Sequence, residues 1–341
     1  MPRARSLGWL PTFVSLTLAC LGCADSGNSG NSGFHAAVDL AVGPVDLAPG
    51  PPAPNLLAPA STLTSCLAVD GNGVYWADQG QGNRVLKVGL SGGTPVTLAT
   101  GGDSRTCVAI DAVNAYYYSR DNDGGAGDTI WKVPLDGSGQ PSMVAGNQHV
   151  KNGLTAAGGF VYFVTDLYGP LDMAFSGMDA IVRIPVAGGA AEVLFSGVMP
   201  AAAGLAVDGN NLYFSDQGGV YARPIGGGNN TSFGMSNIHG NPFAVGGGHL
   251  VMIEVTSIGM GGLVLYNLDG GNRTVLIDKL VASPLALDDK AVYAKQNNQL
   301  VRFSLDGRAP ATVSLTAARA VALDAANIYF TDGASILKLA R

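Results

Sequence analysis

The chain has 341 residues, of which 47% are hydrophobic and only 13% are charged, and its net charge is -6. A typical soluble domain has roughly 25% charged residues. The 49 glycines and the scarcity of glutamate favour short strands and tight turns over helices. Because no run or patch of Lys and Arg occurs, the composition argues against a nucleic-acid partner.

The first 23 residues have the pattern of an export signal. Two arginines precede a mostly apolar stretch over residues 7–21, which is too short for a comfortable membrane span. The stretch ends in Leu21-Gly22-Cys23, which resembles the lipobox of bacterial lipoproteins, where a small residue precedes the cysteine that is lipidated after cleavage. This resemblance implies lipidation of Cys23, with an ordinary secretory signal as the alternative, and Ala24 would then favour the outer membrane.

The segment over residues 24–54 is predicted to be a tether. It begins with a low-complexity run of Gly, Ser and Asn over residues 25–33 and continues with a Pro-rich stretch over residues 43–54. The first composition is typical of flexible spacers and the second of stiffer ones. We therefore expect a lipid anchor, a spacer and a folded domain that occupies residues 55–341.

One pattern recurs seven times in this domain: an apolar-Ala-apolar-Asp run, a Gly/Asn turn and an apolar-aromatic pair. The copies begin at Leu67, Val108, Leu154, Leu205, Phe243, Leu285 and Val321. Their mean period of about 42 residues is typical of a four-stranded propeller blade. Asp-Gly and Gly-Gly pairs between later apolar runs indicate tight hairpins. The sequence therefore predicts an all-β, seven-bladed β-propeller, with six blades as the alternative.

The two ends of the domain are predicted to meet. The last copy, over residues 321–341, has room for only three strands. Before the first copy, Leu57-Ala58 matches Leu98-Ala99 at the spacing of one repeat. We therefore expect the N-terminal segment to add the fourth strand to the last blade and to close the ring, which removes an exposed sheet edge.

The second strands of three copies carry a recognisable motif, Tyr75-Trp-Ala-Asp78, Tyr213-Phe-Ser-Asp216 and Tyr329-Phe-Thr-Asp332. These segments resemble the YWTD repeats of LDL-receptor class B propellers, and the wider pattern is similar to secreted bacterial propellers of the YWTD, NHL and TolB-like kind. The resemblance implies aromatic residues packed between blades and structural Asp residues that cap turns. YWTD propellers have six blades, however, and four copies replace the Asp, by Ser119, Thr165, Glu254 and Gln296.

The connection between second and third strands varies in length among the copies, whereas the turn between first and second strands does not. In a propeller these variable connections emerge on one face, which we call the crown face, and they are longest in blades 2, 3 and 5. Because loops on a rigid scaffold commonly carry function, we predict that the crown face is the binding face.

Two of these connections contain candidate binding residues. In blade 2, Asp121, Asp123 and Asp128 lie in a Gly-rich run and are suitable oxygen ligands for Ca²⁺, with a solvated polar turn as the alternative. In blade 3, the loop between Asp166 and Asp179 either contacts a partner or folds back onto the propeller. Its apolar side chains are Tyr168, Leu171, Met173, Phe175 and Met178.

An acid–base or metal site near the propeller axis is a further hypothesis. His149 and His239 precede the inner strands of blades 3 and 5, and Glu254 ends a second strand on the same face. Seven-bladed streptogramin lyases resemble this arrangement in using His and Glu near the axis. Ordinary loop histidines are the alternative, and the sequence contains no nucleophile elbow, HExxH motif or phosphate-binding Gly loop.

The cysteines outside the signal region are Cys66 and Cys107, at the same position of neighbouring copies. We predict a disulfide between them, because an exported protein meets oxidising conditions. The sequence as a whole predicts a monomeric envelope lipoprotein, held at the membrane by its lipid anchor alone, whose crown face binds a protein or a glycan. A hydrolase or lyase with a small axial site is the alternative.

Overall fold

In the part of the chain that the computed structural model describes, alternating apolar residues, separated by turns that contain Gly, Asn or Asp, form 28 β-strands. The structure describes residues 50–60, 66–78, 83–101, 107–119, 127–166, 179–198, 204–216, 218–234, 242–255, 261–279 and 281–341. Within these ranges no helix has the length and apolar character needed to cross a membrane.

The strands are short, as the turn pattern predicts. In chain order they are β1 (Asn55–Pro59), β2 (Leu67–Val69), β3 (Val74–Asp78), β4 (Arg84–Val88), β5 (Val96–Thr100), β6 (Ala109–Ile110), β7 (Asn114–Ser119), β8 (Asp128–Pro134), β9 (Ser142–Gln148), β10 (Val150–Ala157), β11 (Phe160–Asp166), β12 (Asp179–Pro185), β13 (Glu192–Val198), β14 (Leu205–Asp208), β15 (Asn211–Ser215), β16 (Val220–Pro224), β17 (Thr231–Ser232), β18 (Phe243–Gly246), β19 (His249–Val255), β20 (Gly261–Asn267), β21 (Thr274–Ile277), β22 (Ala282–Leu287), β23 (Ala291–Gln296), β24 (Gln299–Ser304), β25 (Ala311–Ser314), β26 (Ala320–Leu323), β27 (Asn327–Thr331) and β28 (Ser335–Ala340).

These strands form seven four-stranded antiparallel sheets. Blades 1 to 6 contain β2–β5, β6–β9, β10–β13, β14–β17, β18–β21 and β22–β25. Blade 7 contains β26, β27 and β28 and is completed by β1, which pairs with β28 so that Asn55 lies opposite Lys338. The seven-bladed prediction is confirmed, the N-terminal strand completes the last blade, and the six-bladed alternative is wrong.

Neighbouring blades share apolar cores. Between blades 7 and 1, Leu57 and Tyr329 pack in one cluster with Trp76, and all three are buried. Between blades 1 and 2, Tyr75 packs in one cluster with Tyr117. Each sheet therefore buries its faces against its neighbours, which a four-stranded sheet alone could not do.

In blades 1, 2 and 7, the Asp of the repeat and the Tyr five residues later form a bonded unit that we call the Asp–Tyr pair. The Tyr hydroxyl donates to the carboxylate, at 3.2 Å in blade 1, 2.5 Å in blade 2 and 2.7 Å in blade 7. The same carboxylates accept backbone N–H groups of the turn. These pairs are Asp70–Tyr75, Asp111–Tyr116 and Asp324–Tyr329. The Asp therefore caps the turn and holds the ring of a buried Tyr in place.

A lysine on the third strand links three blades to the next one. Lys338 of blade 7 donates to the carbonyl of Leu90 in blade 1 at 2.8 Å. Lys87 of blade 1 and Lys132 of blade 2 repeat this bond one blade further on, at 2.9 and 2.7 Å. The first of these bonds crosses the point where the chain closes the ring, so the closing contact uses the same chemistry as the other blade contacts.

The fourth strand of six blades contains a register shift at an equivalent place, where one residue is inserted into the pairing. In blade 7 the shift lies at Leu57, so that Leu57 and Ala58 are both buried. The carbonyl of Leu57 accepts the N–H of Gly93 in blade 1 at 3.0 Å. Such bulges bend an outer strand and interrupt its free edge, which protects the rim from pairing with other sheets.

Blade 5 lacks the Asp of the repeat because blade 6 leaves no room for side chains at its first turn. The Asp position is Gly246, and a Cβ on Gly247 would lie 2.4 Å from the backbone nitrogen of Asp289 in the turn of blade 6. Gly247 also has a φ of 56°. The turn of blade 5 therefore has glycine, without a side chain, where it packs directly against the turn of blade 6.

Candidate functional site on the crown face

The two faces of the propeller differ in how uniform their connections are. On the crown face, the segments between second and third strands range from two residues in blade 6, 297–298, to twelve in blade 3, 167–178. On the opposite face, which we call the turn face, the segments between first and second strands range only from two residues, as at 247–248, to four, as at 70–73. The structure therefore confines most length variation to the crown face.

One alignment made from the sequence is wrong by one residue. The repeat places Arg223 at the position of Lys87, but Ala222 lies opposite Tyr213 in blade 4, as Lys87 lies opposite Tyr75 in blade 1. Blade 4 thus has a shorter crown-face connection than the sequence suggests. The guanidinium of Arg223 instead lies over the ring of Phe195 in blade 3, 4.5 Å from its centroid.

Glu254 is buried at the end of β19, and both of its carboxylate oxygens are occupied. Arg273 donates to Oε2 from Nε at 3.2 Å and from Nη2 at 2.7 Å. The hydroxyl of Tyr266 donates to Oε1. Gly234 of blade 4 closes over this group, since a Cβ there would lie 2.8 Å from both Glu254 Oε1 and the Tyr266 hydroxyl oxygen.

This arrangement changes the pKa values of Tyr266 and Arg273. Burial and the hydrogen bond to Glu254 raise the pKa of Tyr266 to about 12. The hydrogen bond to Glu254 also raises the pKa of Arg273 above its ordinary value. A carboxylate held in this way by a cation and a phenol is typical of a structural ion pair. Glu254 therefore joins three strand segments of blade 5 rather than presenting a free acid or base.

The two histidines proposed as its partners are in different situations. His149 is exposed in the segment between β9 and β10, on the crown face. His239 lies outside the described residues. The hypothesis of a His–His–Glu site therefore remains a prediction. Its glutamate, Glu254, already accepts hydrogen bonds from two other side chains.

Of the three predicted calcium ligands, the structure describes only Asp128. Asp128 is buried at the start of β8, and its Oδ2 accepts the N–H of Val150 in blade 3 at 2.7 Å. Asp121 and Asp123 lie outside the described residues. Within the described ranges, no three His, Cys, Asp or Glu side chains are grouped as metal ligands would be. The role that the structure gives to Asp128 is to tie blade 2 to the inner strand of blade 3.

The proposed apolar loop of blade 3 is bracketed by a pair of aspartates. The five residues Tyr168, Leu171, Met173, Phe175 and Met178 lie outside the described residues. At its base, Asp166 lies opposite Asp179 in the β11–β12 register. Asp179 is 1% exposed, and the ammonium of Lys151 lies 2.7 Å from its Oδ1. Sequence reasoning missed this ion pair, because only the fold brings β10 and β12 of blade 3 together at this point.

The Asp residues of the YWTD-like motif serve local structure. Asp332 Oδ1 accepts the N–H groups of Ala334 and Ser335, each at 2.8 Å. Asp216 Oδ1 accepts the N–H of Gly218 at 2.7 Å. Asp78 forms an ion pair with the first residue of the next strand, Arg84, at 2.7 Å. The structural role that the family resemblance implies is thus present at all three positions.

The predicted disulfide is confirmed. Cys66 and Cys107 are bonded, with their Cα atoms 5.2 Å apart. The bond precedes β2 and β6 and therefore joins the inner strands of blades 1 and 2 at the crown face. Cys23, the predicted lipidation site, lies outside the described residues.

Comparisons with known proteins show the fold alone. No family model matches the chain, and a search of curated proteins finds no significant relative. Among solved structures, BamB from Moraxella catarrhalis matches with a TM-score of 0.51 and 13% identity, over 81% of this chain and 85% of BamB.

Two other similar structures are larger enzymes. A prolyl endopeptidase structure matches with a TM-score of 0.53 and 14% identity, over 73% of this chain and 41% of that protein. A puromycin-hydrolyzing peptidase of Mycobacterium tuberculosis matches with a TM-score of 0.52 and 14% identity, over 73% and 44%. The chain thus spans less than half the length of either enzyme, and what these similarities establish is the β-propeller fold.

Proposed function

We propose that this chain is an exported, lipid-anchored protein whose crown face binds a protein or glycan partner. The observation that carries this proposal is the confinement of length variation to the crown face, from 297–298 in blade 6 to 167–178 in blade 3. A rigid ring that presents unequal loops on one side is suited to recognise another molecule, because the ring fixes the loop ends and the loops vary the surface.

The surroundings of Glu254 favour binding over catalysis. A general acid or base has to reach a substrate proton, but both oxygens of Glu254 already accept hydrogen bonds from Tyr266 and Arg273. Gly234 of blade 4 lies against this carboxylate, since a Cβ there would be 2.8 Å from Oε1. The crown-face loop of blade 3, with its five apolar residues, is a better candidate for the contact, since exposed apolar patches commonly mark interaction sites.

The test of partner binding uses the full chain and two loop variants. In the first variant, a short Gly/Ser linker replaces residues 167–178 of blade 3. In the control variant, Gly and Ser replace the exposed residues 308–310 of a turn-face connection of blade 6 without a change in its length, so that Leu305 keeps its bond to Lys290. After crosslinking in intact cells, we expect the full chain and the control to recover the same specific partner and the blade 3 variant to lose it. Equal recovery by all three proteins would contradict a contact through this loop.

The proposed anchor is tested separately. A Cys23→Ser variant should leave the membrane fraction, and the mature wild-type protein should carry acyl chains on its N-terminal residue by mass spectrometry, because each buried CH₂ contributes about 0.8 kcal/mol to membrane binding. Unacylated mature protein, or membrane association that survives Cys23→Ser, would contradict the proposal.

A further inference from the structure

A groove lies on the crown face of blade 6, away from the long connection of blade 3. Its volume is about 450 Å³, and its described lining is Val281, Ala282, Lys295, Asn297 and Asn298. This volume is in the usual range for small-ligand pockets, roughly 300–1,000 Å³. The two-residue connection of blade 6 forms one wall of the groove and the start of the inner strand β22 the other.

Lys295 places a positive charge at this groove. It lies opposite Ala282 in the β22–β23 register and is half-buried. Among the described residues its ammonium has no hydrogen-bond or ion-pair partner, in contrast to Arg84 and Lys151 on the same face, which are paired at 2.7 Å with Asp78 and Asp179. Because Lys295 lines the groove and its ammonium has no partner among the described residues, its charge favours an anionic ligand.

The two asparagines give the groove polar side chains. Asn297 and Asn298 have φ angles of 49° and 59°, the left-handed conformation that a two-residue hairpin connection requires. Each of their amides offers a donor and an acceptor. Val281 is buried and provides an apolar lining beside them. The groove thus combines one cation, two amides and an apolar surface.

We propose that this groove binds a carboxylate that carries further polar groups, as in an acidic sugar or a peptide C-terminus. Lys295 pairs with the carboxylate, and Asn297 and Asn298 bond to the neighbouring hydroxyl or amide groups. The proposal does not rest on the crown-face partner above, because it concerns blade 6 and a small ligand, and the purified chain alone tests it.

The test titrates the purified full-length chain with three probes, D-glucuronate, N-acetylglycine and D-glucose, by ligand-observed NMR. We expect at least one of the two acids to bind with an affinity that falls as salt is added, and D-glucose to bind at least about tenfold more weakly, because charge-assisted hydrogen bonds contribute most of the affinity. Preference for D-glucuronate identifies an acidic sugar as the source of the carboxylate, and preference for N-acetylglycine identifies a peptide C-terminus.

Matched variants locate the binding. Lys295→Gln should weaken binding of the acid about tenfold or more, whereas Lys290→Gln, which changes an exposed lysine at the turn face of the same blade, should leave it unchanged. Asn297→Gly with Asn298→Gly removes both amides while keeping a connection that tolerates positive φ, and should also weaken binding. The proposal is overturned if neither acid binds, if D-glucose binds as well as the acids, or if Lys295→Gln and Lys290→Gln behave alike.

Discussion

Closure of the ring by β1 predicts a specific loss of stability when Leu57 is shortened. Leu57 is 5% exposed and packs between blades 7 and 1 with Trp76 and Tyr329. Leu57→Ala removes about three buried carbon groups at about 0.8 kcal/mol each, and the remaining cavity adds to this cost. We therefore expect a loss of about 3 kcal/mol in the free energy of unfolding, within the range of about 2–5 kcal/mol for buried Leu→Ala changes.

The repeat supplies matched controls for this experiment. Leu98, at the same bulge position in blade 1, is 7% exposed, and its substitution should cost about as much as that of Leu57. Leu56, next in the chain to Leu57, is 64% exposed, and Leu56→Ala should change the free energy by less than about 0.5 kcal/mol.

The assay is equilibrium unfolding in urea, with the midpoint and the slope m measured for each variant by fluorescence. Equal losses for Leu57→Ala and Leu98→Ala, at unchanged m, are the expected result. If Leu98→Ala lowers the midpoint strongly while Leu57→Ala does not, β1 contributes nothing to the last blade and the argument for closure fails.

Three other predictions concern the links between blades. Burial and the bond to aspartate raise the pKa of the tyrosines in the Asp–Tyr pairs. The pKa of these tyrosines in the unfolded chain is about 10, so the stability they contribute should be complete below about pH 10 and be lost as the pH rises towards the folded-state pKa. A urea midpoint that is constant from about pH 9 to 11 would contradict this expectation. Gly247→Ala should destabilise by about 3 kcal/mol and Gly248→Ala by only about 1 kcal/mol, because both have positive φ but only the first meets Asp289; similar melting temperatures would refute this contrast. Reducing the disulfide between Cys66 and Cys107 should cost about 4 kcal/mol in the loop-entropy model, and an unchanged unfolding midpoint in reductant would count against that role.

The repeat explains why so much of the fold was predictable from the sequence. A four-stranded sheet cannot bury both faces, so seven copies of one pattern require seven stacked blades. The spacing of Leu57-Ala58 from Leu98-Ala99 then identified β1 as the missing fourth strand, and β1 does pair with β28. The alignment failed in blade 4, where the repeat pattern pointed to Arg223 but the register places Ala222 opposite Tyr213.

The surroundings of the candidate site residues could not be predicted in the same way. Glu254 stands where other copies have Asp, and no sequence pattern indicated that Arg273 and Tyr266 would bind it. For Asp128, a predicted metal ligand, no pattern indicated that its carboxylate would accept the N–H of Val150 in the next blade. Both contacts depend on the conformations of individual side chains within or between sheets. The repeat pattern, which describes what the copies share, does not specify these conformations.

The contacts between blades explain why one face varies and the other does not. On the turn face, the same bonds recur from blade to blade: Lys338 reaches the turn of blade 1 at Leu90, and Gly93 of that turn donates to Leu57. An insertion there would displace a donor or acceptor that the neighbouring blade needs. On the crown face the links are individual, such as Asp128 to Val150 or Cys66 to Cys107, and they lie at strand ends rather than within the loops. Loops on that face can therefore change in length without opening the ring, which is the physical reason to look for recognition there.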